Sequence, residues 1–331
     1  MTFQQIIELL DEMAARNVLL LCHHNSDPDA VCSAYGFQGL LLRVKPELSV
    51  EIGAGQGISK LTRNLLKFVP AEVKLQPNVE KAQAIILLDT NTIQQLDNLA
   101  DRVVSSKAPI IVIDHHAAHP ETQKICRLCI TNEEASSTCD IVYSFYKERN
   151  LKPSLDVAKA LFLGMAFDTR HFVLANSATF KAVADLVDTG VNAQEALGML
   201  ALPMDFSERV ARVKACRRAK IIRVGDWIIA FSHVSAFEAS AARALVDLGV
   251  HMAAVAGKKG GGIEISMRCT RDFTEKTGIH LGKDIAKPLG EALQGQGGGH
   301  AMAAGVNGMG DVKAGLKRCL RLLKENLAKP E

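Results

Sequence analysis

The sequence predicts a doubly wound, mainly parallel α/β domain followed by a smaller α/β domain with a mixed sheet, and three observations carry this. Short, wholly apolar runs at 17–22, 84–88 and 109–113 alternate with longer stretches of helical periodicity, the mark of strands covered on both faces. After about residue 190 the pattern changes, and strand-like runs gather around glycine-rich turns. With 331 residues, 48% of them hydrophobic, the chain is long enough for two cores without a disulfide or zinc staple.

Taken in order, Ile6, Ile7, Leu9, Leu10 and Met13 define an amphipathic first helix, and 17–22 is the first buried strand. A helix at 30–43, a strand at 49–52 and a helix at 61–68 follow, then strands at 84–88 and 109–113, and helices at 136–149, 154–167 and 178–187. Residues 205–220 read as a further helix. Strands are expected at 227–231, 251–256 and 263–268, with a helix at 235–248 between the first two. The cluster Gly257-Lys258-Lys259-Gly260-Gly261-Gly262 suits a hairpin loop between the last two, and a helix at 311–327 closes the chain. The expected domains are 1–190 and 219–331, joined by a helical connector at 191–218, with the active site in the cleft between them.

Composition narrows the function classes. Lys and Arg number 39 against 36 acidic residues, a net charge of +3 that does not by itself call for nucleic acid. One local run, Arg209, Arg212, Lys214, Arg217, Arg218, Lys220 and Arg223, holds no acid and reads either as a phosphate-facing helix face or as a solvated one. No apolar run is long enough to span a bilayer, and the first residues lack a signal-peptide pattern, so a cytoplasmic location is expected. The eight cysteines lack disulfide-scaffold spacing. Cys126 and Cys129 form one CxxC in a strand-like segment with no second pair at zinc-ribbon distance, which favours a structural reading over a metal or redox role.

The chemistry concentrates where apolar strands end. The first runs into His23-His24-Asn25-Ser26-Asp27-Pro28-Asp29, another ends at Asp89, another at Asp114-His115-His116, and a helix delivers Asp168. Open α/β sheets bind ligands at the carboxyl ends of their strands. Carboxylates gathered there would repel one another, and a divalent cation compensates them; mixed carboxylate and imidazole donors favour manganese, zinc, iron or cobalt over calcium. His24 reads as a packing or supporting residue. No GxGxxG follows the first strand, which disfavours a dinucleotide-cofactor enzyme.

Asp114-His115-His116 together with His23-x-x-x-Asp27-x-Asp29 resembles the DHH phosphoesterase superfamily. Gly297-Gly298-Gly299-His300-Ala301-Met302-Ala303-Ala304-Gly305 resembles the signature of the DHH-associated C-terminal domain, and Glu134-Ala135-Ser136-Ser137-Thr138 the family's link before its last aspartate. Family II pyrophosphatases differ in their C-terminal half. The resemblance implies that His23 and Asp27 bind one metal, that Asp29, His115 and Asp168 bind another, and that Asp89 bridges them. Two divalent ions, foremost Mn²⁺, would be the cofactors, His116 would face the substrate phosphate as donor or proton partner, and Asp114 would orient an imidazole. Arg268, Gly298, Gly299 and His300 would hold a terminal phosphate or the adjoining sugar, and glycines followed by a helix opened by Ala301 would suit an anion. The implied activity is hydrolysis of short oligonucleotides or dinucleotides, RNA or DNA, to mononucleotides by a chain that is a homodimer. Alternatives are a 3'-phosphoadenosine 5'-phosphate phosphatase, a cyclic-dinucleotide phosphodiesterase, a RecJ-like single-strand exonuclease, or an inactive replication scaffold. The scaffold sits poorly with a full set of ligands. Ser26 and Pro28 depart from the family pattern without touching a ligand; Arg170 and His171 also depart, and either contact substrate or form structural ion pairs.

Overall fold

A computed structural model describes residues 2–201 and 204–328. The chain forms two compact units, Met1–Leu202 and Pro203–Glu331.

The first unit is built on β1 (Asn17–Cys22), β2 (Ser49–Ala54), β3 (Val73–Lys74), β4 (Ala84–Leu88), β5 (Ile110–Asp114) and β6 (Cys126–Thr131), in the order β3-β2-β1-β4-β5-β6. Every pairing is parallel. Alternation splits β1 between two cores: Val18, Leu20 and Cys22 face the helices Pro28–Val44, Thr138–Glu148 and Leu155–Asp168, while Leu19 and Leu21 pack with Leu96, Leu99 and Val103. The chain winds outward from β1 in one direction and from β4 in the other. Their shared boundary is therefore the topological switch point, where a crevice opens beyond the strand ends.

The second unit contains β7 (Lys220–Val224), β8 (Trp227–His233), β9 (Met252–Lys259), β10 (Gly262–Cys269), β11 (Gln296–Gly299) and β12 (Ala303–Gly308), in the order β11-β12-β10-β9-β8-β7. Only β8 and β9 are parallel, joined through the helix Glu238–Asp247. The hairpin between β9 and β10 turns on Gly260 and Gly261, both left-handed at φ 55° and 83°. The helix Val312–Leu327 packs Cys319 and Leu323 into this unit's core.

Three expectations are corrected. No separate connector occupies 191–218: Ala196 and Met199 join the first unit's core, whereas Ala211 and Ala215 pack with Ala241 and Leu245 of the second, and Leu202 and Pro203 lie outside the described residues. The basic helix ends at Arg218, and Lys220 and Arg223 stand on β7, because Ala219 is extended and the β-branched Ile221 and Ile222 suit a strand. Finally, Gly297, Gly298 and Gly299 form an edge strand and Ala301 opens no helix. A Cβ at Gly297 would lie 1.8 Å from the Ala286 carbonyl oxygen, so close backbone packing is what requires glycine there.

Candidate metal centre

Local chemistry explains why the first motif has its spacing. Asp27 caps the helix Pro28–Val44 by accepting from the Ala30 amide at 3.1 Å, Pro28 takes a first-turn position, and Asp29 falls in the same turn, where negative charge meets the positive helix end. His23 stands just past β1. Its Nδ1 donates to the His24 carbonyl oxygen at 2.8 Å, which turns Nε2 toward the crevice, 3.9 Å from an oxygen of each of Asp27 and Asp89. His24 turns away, with Nδ1 bonded to the Gln95 carbonyl at 2.9 Å, as a supporting residue should.

Asp89 follows β4 in a left-handed conformation, φ 53°, which costs backbone energy and re-aims the carboxylate into the crevice. Beyond β5, His115 Nε2 lies 3.0 Å from Asp168 Oδ2 and 3.6 Å from Asp89 Oδ1, yet it is buried and satisfies no hydrogen bond among the described residues. An orphaned imidazole nitrogen flanked by two carboxylate oxygens points at a shared third body. Two trios have ligand atoms all within 4.8 Å of one another, His23 with Asp27 and Asp89, and Asp29 with His115 and Asp168; a third group joins Asp89 to Asp114, His115 and His116. The donor set fits divalent cations that accept both nitrogen and oxygen.

Asp114 is fully buried and points to the second imidazole of its motif, accepting from the His116 amide at 2.9 Å and from His116 Nδ1 at 2.7 Å. That hydrogen bond raises His116 to about 9, so the ring is protonated at neutral pH, and about half of its side chain faces solvent. Burial and the neighbouring carboxylates push Asp89 up to about 7 and Asp29 well above the usual carboxylate range. Without cations these groups hold protons; with cations they have reason to release them.

Sequence reasoning missed several contributors. The start of the helix Thr138–Glu148 holds Asp29 by two amides, Thr138 at 2.7 Å and Cys139 at 3.1 Å, while the Thr138 hydroxyl donates to Asp89 at 3.1 Å. The Glu134-to-Thr138 link thus delivers positioning donors. Gly164, inside the helix Leu155–Asp168, makes room: a Cβ there would meet Cys139 Sγ at 2.3 Å and Asp29 Oδ1 at 2.9 Å. A glycine in a helix interior was the available signal. After Asp168, residues Arg170, His171 and Phe172 are all left-handed, and Arg170 forms no ion pair among the described residues.

In the second unit, Arg268 is the penultimate residue of β10 and pairs with Ala303, the first residue of β12 after the turn that carries His300. Among the described residues its guanidinium bonds only the Met267 carbonyl, at 2.9 Å, and it is lowered by burial and by the neighbouring Arg243, a second cation missed in the sequence. His300 is exposed, and Gly298 has open space where a Cβ would stand, leaving its backbone approachable.

With this geometry in place, comparison with known proteins is informative. The family model for the DHH family, N-terminal domain, matches residues 17–165, the span from β1 to the helix that ends at Asp168. An uncharacterized protein of Methanocaldococcus jannaschii is 36% identical over 303 residues, 91% of this chain and 90% of its own. A probable manganese-dependent inorganic pyrophosphatase of Streptococcus thermophilus is 29% identical over 59% of this chain and 63% of its own. The bifunctional oligoribonuclease and PAP phosphatase NrnA of Bacillus subtilis is 24% identical over 58% and 60% respectively. Among the described residues no helix is long and apolar enough to cross a membrane. A family match laid over the strand ends that meet around Asp89, and a relative alike through both units, have one explanation: the chain belongs to the DHH family.

Proposed function

We propose that this DHH phosphoesterase is a metal-dependent phosphodiesterase that hydrolyses short oligonucleotides or dinucleotides such as pApA to mononucleotides. The observation that carries the reading is a pair of ligand trios, one of which contains Asp89, whose two oxygens lie toward an imidazole of each trio, His23 and His115. His23 and Asp27 would hold one divalent ion, Asp29, His115 and Asp168 the other, and Asp89 both. When bound, a close pair of such ions, manganese foremost as in the pyrophosphatase relative, supplies a hydroxide near neutral pH and neutralises charge on phosphoryl oxygens.

The chain's own groups do the rest. Thr138 and the Cys139 amide fix the two buried aspartates, so the donors need no rearrangement during turnover. Charged by Asp114, half-exposed His116 would donate from Nε2 to a phosphate oxygen or the leaving oxygen. Arg268, His300 and the open backbone at Gly298 and Gly299 would grip a terminal phosphate or its sugar.

Support for a short nucleotide substrate comes from the Bacillus subtilis relative, whose name joins oligoribonuclease and PAP phosphatase, and the latter reaction is the second reading. A complete donor set speaks against an inactive scaffold. The deciding experiment loads the purified chain with Mn²⁺ and compares specificity constants for pApA, cyclic di-AMP, five-nucleotide RNA, long single-stranded DNA, 3'-phosphoadenosine 5'-phosphate and pyrophosphate. We expect pApA and the short RNA to lead. A preference for pyrophosphate, or no hydrolysis of any of these, would overturn the proposal.

A further inference from the structure

The second unit contains a cavity of about 510 Å³ that the metal centre does not use. Its floor is apolar, made by Ile222, Phe231, Leu316 and Leu320, and its rim carries five cations, Arg218, Lys220, Lys258, Lys313 and Lys317, against one carboxylate, Asp311. The cations come from distant stretches of sequence: the end of the basic helix, β7, β9 and the helix Val312–Leu327. This is convergence on one spot, unlike a single solvated helix face.

Three features show that the charge is uncompensated. None of the five cations forms an ion pair among the described residues, although the chain has 36 acidic residues to draw on. Asp311 is already engaged as the helix cap, accepting from the Lys313 and Ala314 amides at 2.9 and 3.0 Å. Lys313 and Lys317 stand four residues apart near the positive end of their helix, an arrangement that like-charge repulsion and the helix dipole both disfavour. An anion seated in the cavity would relieve all of this.

The size and lining narrow the ligand. A few hundred cubic ångströms over an apolar floor is the scale of a small-molecule pocket, and a bare inorganic anion would leave the floor unused. We propose that this cavity, lined by none of the metal-centre residues, is a second ligand site that takes a nucleotide: phosphates against Arg218, Lys220, Lys313 and Lys317, and the base over Phe231 and Leu316. The proposal does not rest on the activity assigned above.

It is tested by calorimetric titration of the full chain with ADP and with pyrophosphate, in EDTA so that no metal draws phosphates to the first unit. We expect ADP to bind wild type and Arg268→Ala alike, to bind Lys220→Glu/Lys317→Glu at least tenfold more weakly, and to exceed pyrophosphate at least tenfold. Unliganded, the double variant should melt no lower than wild type, since it removes repulsion, so a loss of binding is not a loss of folding. Equal affinity for ADP and pyrophosphate would mean an anion patch without base recognition. ADP binding that is lost with Arg268 but kept in the double variant would place the nucleotide elsewhere. An acidic peptide such as Asp-Asp-Asp-Phe binding where ADP does not would make this a protein-docking surface. Each of these three results overturns the proposal.

Discussion

The two sheets handle charge in opposite ways. In the parallel sheet, Asp29, Asp89 and Asp114 are almost wholly buried, and each is held by amides, a hydroxyl or an imidazole. In the mixed sheet, the groups proposed for recognition are a half-buried guanidinium with no ion pair among the described residues, an exposed histidine and a glycine edge strand. The first arrangement is preorganised: backbone direction, including the left-handed Asp89, decides where each oxygen points. The second supplies donors that await a partner. Loss of one carboxylate should therefore be catastrophic, and loss of one recognition group should be graded and dependent on the substrate.

The sharpest break of this comparison is Asp89→Ala. Removing a carboxylate that belongs to one trio and lies 3.6 Å from His115 of the other should weaken both proposed cation sites together, so activity on every substrate should fall by about three orders of magnitude, the scale of losing an essential electrostatic group. Bound manganese, measured on the purified protein, should drop below two per chain. Near-normal turnover with two ions retained would remove Asp89 from its bridging role.

On the other side, Arg268→Ala should weaken nucleotide substrates by about 1.5 to 3 kcal/mol, the size of a charged hydrogen bond left unmade. Bis-p-nitrophenyl phosphate, which has no terminal phosphate to grip, should be hydrolysed almost as before. If both substrates suffer equally, Arg268 acts on structure or on the chemical step, and the division between the two units fails.

A third measurement uses pH. Burial first, then neighbouring carboxylates, raises Asp29 and Asp89, the latter to about 7. A carboxyl that holds its proton more tightly when folded than when unfolded adds stability below its ordinary value, and that stability is lost as pH rises through the folded value. Asp27 is shifted the other way: burial raises it, but hydrogen bonds from His23 and the Ala30 amide lower it overall, so it works against this trend. The chelated protein should thus melt at a lower temperature at pH 8 than at pH 5.5. Manganese must displace those protons, so its affinity and the stabilisation it gives should rise over the same window. A chelated melting temperature that climbs with pH would show that the carboxyls are not held protonated.

The contrast also explains what could be read in advance. β1, β4 and β5 were legible because a strand buried on both faces is a short unbroken apolar run, and the residues that follow such a run must lie at the strand end. The placement of His23, Asp27, Asp29, Asp89, Asp114 and His115 followed from that. The roles of Thr138 and Gly164 were not legible, although the link ending at Thr138 and a glycine inside a helix were visible, because those roles depend on which helix passes behind Asp29, a tertiary fact. β7 was hidden in a continuous basic run whose charges mask Ile221 and Ile222. β11 was hidden because Gly297-Gly298-Gly299 has low strand propensity and pairs only through tight packing against Ala286.

The smallest expected effect is that of substrate length. Proteins that track single strands stack successive bases on aromatic platforms, each worth about 1 to 3 kcal/mol. This chain has one Trp, three Tyr and 12 Phe, and Phe3, Phe37, Phe145, Phe162 and Phe273 are all buried in the cores. Trp227 is engaged with Phe273 and His251. Four rings are exposed, Phe68, Phe180, Phe206 and Phe237, but they stand on four separate segments and form no run along one element, so affinity for a strand should come from one or two phosphates near its end. Extending RNA from two to five nucleotides should change the specificity constant only modestly, and extending it to twenty-four should add less than about twofold at fixed salt, because no further stacking platform is engaged. A specificity constant that climbs steadily with length, or digestion of long DNA without release between cuts, would mean that a groove along the surface does what the aromatic faces do not. The activity would then be that of a processive single-strand exonuclease.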